Sequence, residues 1–454
     1  MIRNRTALLD HGRVEDRRTL LDIAEEAIDR VHPDVVVPGT VRIEGDELIV
    51  DGETYELDSV GDLYVFGAGK GSLATVSALV EVLDGLVSRA IAVEKRGQAE
   101  TSDDIEVYES GHPIPDEAGL QASESIVDML ESAGPDDLVF ACINGGASAQ
   151  LPYPVEDISL ADLVELTDSM LSAGLPIDEI NTVRKHLSKI KGGRLAEIIH
   201  PARSISLIVV DEVAGEPWGP TVPDETSFAD AIDVLKTRNL WAAAPASVRQ
   251  YLESGLENPA METPGPDAFD RYRTQPVVLT DASDLCEAAK AGAEARKLSA
   301  MILSSLMEGE SREIARAHAG VAKEVSRYAR PIAPPCLIVS GGETTVSVGD
   351  DPGRGGPNQE FAVQFAREID AWSGITALSL GTDGTDGPTE LAGGLVDSET
   401  ASRAQERSID LFDALQVHDT TPALEELHDA VRTGGTGTNL MDLRLVAVTD
   451  AQPR

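Results

Sequence analysis

Five short apolar runs in this chain each end in glycine or acid and lead toward a stretch of helical periodicity. That recurrence narrows the fold more than any other feature. Residues 62–66 (DLYVF) pass into GAGKGS at 67–72, and 138–143 (LVFACI) into NGGAS at 144–148. Residues 206–210 (SLIVV) end in Asp211-Glu212, 337–339 (LIV) reach SGGE at 340–343, and 375–380 (ITALSL) reach GTDGTDG at 381–387. A run that is apolar throughout, rather than alternating, is what a strand buried on both faces requires, with helices between strands as cover. The pattern predicts buried parallel strands in an α/β fold. Ligands of such sheets gather beyond the carboxyl ends of the strands, where all five loops lie. The polar, Pro/Gly-rich stretch at 254–275 (SGLENPAMETPGPDAFDRYRTQ) predicts a linker between one domain over 1–253 and another over 276–454. Two domains facing each other across their loop-bearing edges would enclose a cleft, the expected place of an active site.

Charge decides which partners to expect. The 454 residues include 79 acidic and 37 basic ones, a formal net charge of −42. A polyanionic duplex or an anionic membrane surface is repelled by such a chain, so neither is expected as a partner. No run of about 20 apolar residues would span a bilayer, and the first residues have no apolar core of the kind a signal peptide needs. Cys142, Cys286 and Cys336 make neither a disulfide framework nor a CxxC metal site. These features predict a soluble, cytoplasmic protein, with monomer and homodimer both left open. Only nine of the basic residues are lysines, and aromatics are 4% of the chain. An acidic, lysine-poor composition suits a salt-rich cytoplasm such as that of a haloarchaeon, where carboxylates hold water and salt screens their repulsion.

Against that background the basic stretch NTVRKHLSKIKGGR at 181–194 stands out. Arg184, Lys185, Lys189, Lys191 and Arg194 fall within it without an acid, and they include three of the nine lysines. Arginine forks and lysine ammonium groups suit a phosphate or a carboxylate. Gly67-Ala68-Gly69-Lys70-Gly71-Ser72 is a strand-to-helix glycine turn, able to bring backbone N–H groups and a helix N-terminus to an anion. It is not a Walker A loop and misses GxGxxG by spacing, and it also reads as a plain tight turn. Glu94, at the end of the next apolar run, stands where a ribose-binding acid would sit in a dinucleotide site. Gly353-Arg354-Gly355-Gly356-Pro357-Asn358-Gln359-Glu360 opens a further helix and offers another anion cradle. TGGTGTN at 433–439 is a Gly/Thr loop with little bulk. Glu343, Asp383 and Asp386 lie on glycine loops at strand ends, as do Glu212 and Glu216. Hard carboxylates of this kind suit Mg²⁺ better than zinc, although Gly-Asp turns are also ordinary turn chemistry. No GxSxG elbow is present, against a serine hydrolase.

In order along the chain, GAGKGS at 67–72, GHPIPDEAG at 111–119, NTVRKHLSKIKGGRLAE at 181–197, GPTVPD at 219–224, GGETTV at 341–346, GTDGTDGPTE at 381–390 and TGGTGTNLMDLR at 433–444 resemble the glycerate 2-kinases. The resemblance covers about residues 17 to 450. It implies a Rossmann-like first domain with a glycine-lysine loop, a C-terminal α/β domain of the MOFRL type, and an active site in the cleft between them. It also implies ATP-dependent phosphorylation of the 2-hydroxyl of D-glycerate. Lys70 matches the family's active-site lysine; Arg184, Lys185, Lys191 and Arg194 match its basic motif. Pro357 stands where the family has arginine, and Asn144 where it has serine.

On this reading Lys70, Arg184 and Asp386 are the expected catalytic residues. Lys185, Lys191, Ser148 and Asn144 would hold the hydroxy acid. Gly67, Gly69, Gly342, Asn358 and Thr436 would hold ATP, and Glu343, Asp383 and Glu212 the Mg²⁺. Two rival readings remain: an NAD(P)-dependent reductase of a 2-oxo acid such as hydroxypyruvate, resting on the glycine turn and Glu94, and a weakly active paralogue that only binds a nucleotide or a hydroxy acid.

Overall fold

The runs at 62–66, 138–143 and 206–210 are strands of one sheet, and burial explains their composition. In the computed structural model, which describes residues 1–211, 217–349 and 352–451, that sheet contains β1 (Leu63–Ala68), β2 (Arg89–Lys95), β3 (Glu106–Ser110), β4 (Leu138–Ile143), β5 (Arg203–Val209) and β6 (Arg273–Thr280). Every residue of β4 is buried. The strand order is β3-β2-β1-β4-β5-β6, and the pairs β1/β2, β1/β4, β2/β3 and β4/β5 are parallel. This is the order of the Rossmann fold, with its reversal between β1 and β4. Helix α1 (Ser72–Val82) follows β1. Helix α2 (Glu117–Leu130) starts on the Asp116 side chain, which accepts the Gly119 N–H, and buries Ala122, Ile126 and Leu130, spaced four apart, against Phe66 and Val139.

The second sheet differs from the expectation. Its strands are β7 (Ser299–Ser304), β8 (Cys336–Gly342), β9 (Ile375–Gly381), β10 (Gly393–Asp397), β11 (Ala430–Val431) and β12 (Asp442–Val448), in the order β7-β8-β12-β9-β10-β11. Only β7 and β8 pair in parallel; β12 runs antiparallel to both β8 and β9. The sheet is mixed because complete burial writes the same apolar run whatever the strand direction, and β12 (DLRLVAV) is buried at every position. With β12 reversed, its first residue, Asp442, lies opposite Gly342 and Gly381, the last residues of β8 and β9.

The domain boundaries also require correction. One compact unit combines Met1–Val35 and Asp211 with the chain from Thr280 onward; the other takes in Val36–Val210 and residues 217–279. The N-terminal helix Val14–Arg30 joins the second sheet's unit because Arg17, fully buried, pairs with Asp397 and, at 2.8 Å, with Asp429. Residues 254–275 are not a free linker: Thr263, Phe269 and Tyr272 are buried, and Gln275 donates to the Val50 carbonyl at 3.3 Å and accepts from the Tyr55 hydroxyl. Among the described residues, no helix is long and apolar enough to cross a membrane.

Candidate active site

At the reversal between β1 and β4, the turn 69–71 meets the segment 144–150. Gly69 has φ of +114°, and a Cβ on it would lie 2.2 Å from the Asn144 carbonyl oxygen, so glycine alone permits the approach. The backbone of Lys70 is held from both sides: its N–H donates to the Gly145 carbonyl at 2.8 Å, and its carbonyl accepts from Asn144 Nδ2 at 3.2 Å. Gly69 N–H donates to Gln150 Oε1 at 2.8 Å. Glu94, at the end of β2, accepts from Gly71 N–H at 3.1 Å and Leu73 N–H at 3.3 Å. The anion cradle expected of this turn is therefore filled by the chain's own carboxylate. Gly67 lies inside β1, where a Cβ would strike Val76 at 2.5 Å. Gly67 and Gly69 permit close packing, and Glu94 takes the N–H groups at the helix start that a bound anion would otherwise use. Asn144, fully buried, faces Lys70 and Thr75.

The basic motif separates into parts. Helix α3 (Ile177–His186) carries Arg184, Lys185 and His186 in its last turn, where the helix dipole favours cations. His186 is locked between the Thr182 carbonyl and Glu262. Arg194 is a bolt: its guanidinium donates to the carbonyls of Lys185 at 3.1 Å, Ser188 at 2.6 Å and Met261 at 2.6 Å. Lys185 is neutralised by Asp224 at 3.0 Å. Lys189 lies over the Tyr153 ring.

Arg184 and Lys191 are different. They line one small pocket with Ser148, Tyr153, Thr167 and Ser188. Arg184 is 6% and Lys191 8% exposed. Among the described residues the Arg184 guanidinium reaches only the Pro113 carbonyl, at 3.5 Å, and the Lys191 ammonium donates to the Leu151 carbonyl. Neither has a carboxylate partner among the described residues, and the buried Thr167 hydroxyl has no hydrogen-bond partner. Burial lowers Arg184 to about 10; burial and the nearby guanidinium lower Lys191 to about 7. Two buried cations and an unpaired hydroxyl are donors of the kind a small oxyanion accepts.

The second unit repeats the device found at Glu94. Pro357 is the first residue of helix α4 (Pro357–Glu368), the one position that needs no N–H partner. Asp386 takes the next two: one carboxylate oxygen accepts Asn358 N–H at 2.9 Å and Asn358 Nδ2 at 3.1 Å, the other Gln359 N–H at 2.9 Å and Gln359 Nε2 at 3.0 Å. Burial raises Asp386 to about 7, against the pull of these donors. With both oxygens engaged, Asp386 anchors the start of this helix. Asn358 also donates to Asp442 at 2.6 Å and accepts from Ser379 at 2.6 Å, within the core. Gly342, at φ of +114°, packs where a Cβ would lie 2.3 Å from Met307 N, and Thr436 is tied to the Thr382 carbonyl. Asp383 accepts from Thr385 N–H and its hydroxyl, both at 2.8 Å; Glu343 is exposed; Glu212 lies outside the described residues. Among the described residues, no three His, Cys, Asp or Glu side chains form a metal-holding group.

Comparison with known proteins fits this arrangement. The family described as a domain of unknown function (DUF4147) matches residues 19–253, and the MOFRL family matches 336–442. A glycerate 2-kinase of Pyrococcus horikoshii is 37% identical, with 96% of this chain and 98% of the relative covered. The chain belongs to the glycerate 2-kinase family. The crystal structure of a glycerate kinase of that family from Thermotoga maritima superposes with a TM-score of 0.82 at 31% identity, covering 95% of this chain and 99% of the other. A relative from Agrobacterium vitis named as a candidate hydroxypyruvate reductase is 36% identical over 86% of this chain and all of its own length. Sequence reasoning within the family pattern missed Gln150, Thr167 and Asp442 as shapers of the two groups. Asp442 lay in a quoted motif, but the other two carry no local signal.

Proposed function

We propose that the protein transfers the γ-phosphoryl group of ATP to the 2-hydroxyl of D-glycerate, giving 2-phosphoglycerate. The pocket of Arg184 and Lys191 carries this reading. A small hydroxy acid brings the carboxylate that two buried cations lack, and Ser148 and Thr167 offer hydroxyls beside it. Phosphoryl transfer asks for positioning and charge neutralisation rather than covalent chemistry, and Lys70 on its pinned turn supplies a cation for the moving phosphoryl group. Mg²⁺ keeps several waters and needs only one or two protein carboxylates besides phosphate oxygens. Asp383 and Glu343, after the two strands that flank β12, fit that demand. When bound, the ion neutralises charge on the phosphates. Use of ATP fits a cytoplasmic enzyme.

The test is ATP consumption with D-glycerate and Mg²⁺, with phosphorus NMR of the product. A 2-phospho monoester supports the reading; absence of turnover over a panel of small hydroxy acids, with ATP still binding by calorimetry, would favour the binding-only paralogue. The reductase reading has the name of the Agrobacterium relative behind it, but Glu94 fills the seat a pyrophosphate would use. NADH oxidation on adding hydroxypyruvate would support it.

A further inference from the structure

Glu94 is 3% exposed, and its hydrogen-bond partners are backbone N–H groups: Gly71 at 3.1 Å, Leu73 at 3.3 Å and Lys95 at 2.9 Å. A buried carboxylate is costly, and burial raises this one above the ordinary glutamate range. Its position offsets that cost. It sits at the start of α1, where the first N–H groups of the helix point outward and the macrodipole favours a negative charge. The preceding residue ties the same two elements together: the Val93 carbonyl accepts Gly69 N–H at 3.3 Å and the Ser72 hydroxyl at 2.9 Å. Gly71, at φ of +76°, is the bend between Lys70 and the helix.

We infer that Glu94 is the positioning residue for Lys70, an internal carboxylate that stands in for a bound phosphate at the start of α1 and fixes the turn bearing the lysine. The inference rests on the role proposed for Lys70 and deepens it. Together with Gln150 and Asn144, Glu94 clamps residues 69–71 from three sides, so the lysine backbone is set before substrate arrives. It also assigns the turn to presenting a cation rather than to binding a nucleotide.

The experiment compares Glu94→Ala, Glu94→Gln and Lys70→Ala in the full chain. Glu94→Ala is expected to lose kcat by roughly 10²-fold, with KM for ATP and for glycerate changed by less than about threefold. Formate, a carboxylate small enough for the vacated space, then raises its kcat saturably without raising that of the unaltered enzyme. Glu94→Gln keeps the bulk but turns an N–H donor toward the helix start; it loses kcat likewise, and formate does not restore it. Parent-like kcat in Glu94→Ala beside an inactive Lys70→Ala overturns the inference, as does an unrescued loss in which both KM values rise. If Glu94→Ala does not fold, a parent-like kcat in Glu94→Gln overturns it and a large loss at constant KM supports it. A fully active Lys70→Ala removes the role of the lysine itself, so the two failures are distinguishable.

Discussion

Lys191 and Arg184 share one pocket, and the guanidinium adds to the burial that brings the Lys191 ammonium down to about 7. In the free protein Lys191 is therefore charged below about pH 7 and neutral above it. A carboxylate bound beside it favours the charged form. KM for glycerate is expected to be lowest on the acid side and to rise as pH climbs through about 7. Lys191→Met should raise KM at about pH 6 and flatten the profile. Initial rates at saturating ATP measure it; a KM independent of pH in the parent enzyme would remove Lys191 from substrate binding.

Lys70→Ala is expected to lower kcat by roughly 10³-fold or more, the scale of losing a cation that stabilises transition-state charge. The turn itself should stay in place, because the Lys70 backbone and its neighbours pin it. Near-normal turnover would sink the assignment.

Asp386→Ala leaves the buried backbone N–H groups of Asn358 and Gln359 without an acceptor and takes one of two acceptors from each side-chain amide. The expected loss is about 3 kcal/mol, read as a lower urea midpoint. Asp386→Asn should not recover it, since an amide presents a donor to one of the two backbone N–H groups. A stability within about 0.5 kcal/mol of the parent would contradict the anchor role.

With a net charge of −42, the folded chain repels itself, and salt screens that repulsion over a Debye length of about 3 Å at 1 M. The thermal midpoint is expected to rise steadily between low salt and molar KCl. Buried pairs such as Arg17 with Asp397 and Asp429 should contribute little to that dependence. A midpoint that falls with KCl would count against self-repulsion as a limit on stability.

Strand positions and the first sheet were legible because burial on both faces imposes an unbroken apolar run. Direction was not: β12 carries the same kind of run as β4 while pointing the other way relative to its neighbours. The glycine loops at 67–72 and 353–360 were legible as places where a helix start meets an anion. The anion itself was not, because Glu94 comes from 23 residues beyond Gly71 and Asp386 from 28 beyond Asn358. Clustering of lysine against a lysine-poor background did locate the pocket of Arg184 and Lys191. It did not separate them from Arg194, which has the same chemistry but spends its donors on three carbonyls.

The placement of Met1–Val35 with the unit that begins at Thr280 has a consequence during synthesis. The Rossmann-ordered sheet is complete once the chain reaches β6, and can fold while the ribosome is still working. The helix Val14–Arg30 emerges earlier but must wait, its buried arginine without Asp397 and Asp429 until those residues are made. For most of translation the N-terminal segment is an amphipathic passenger, open to chaperones. Shortening the chain before β12 would strand it there permanently, since β12 is the strand between β8 and β9 on which that sheet closes.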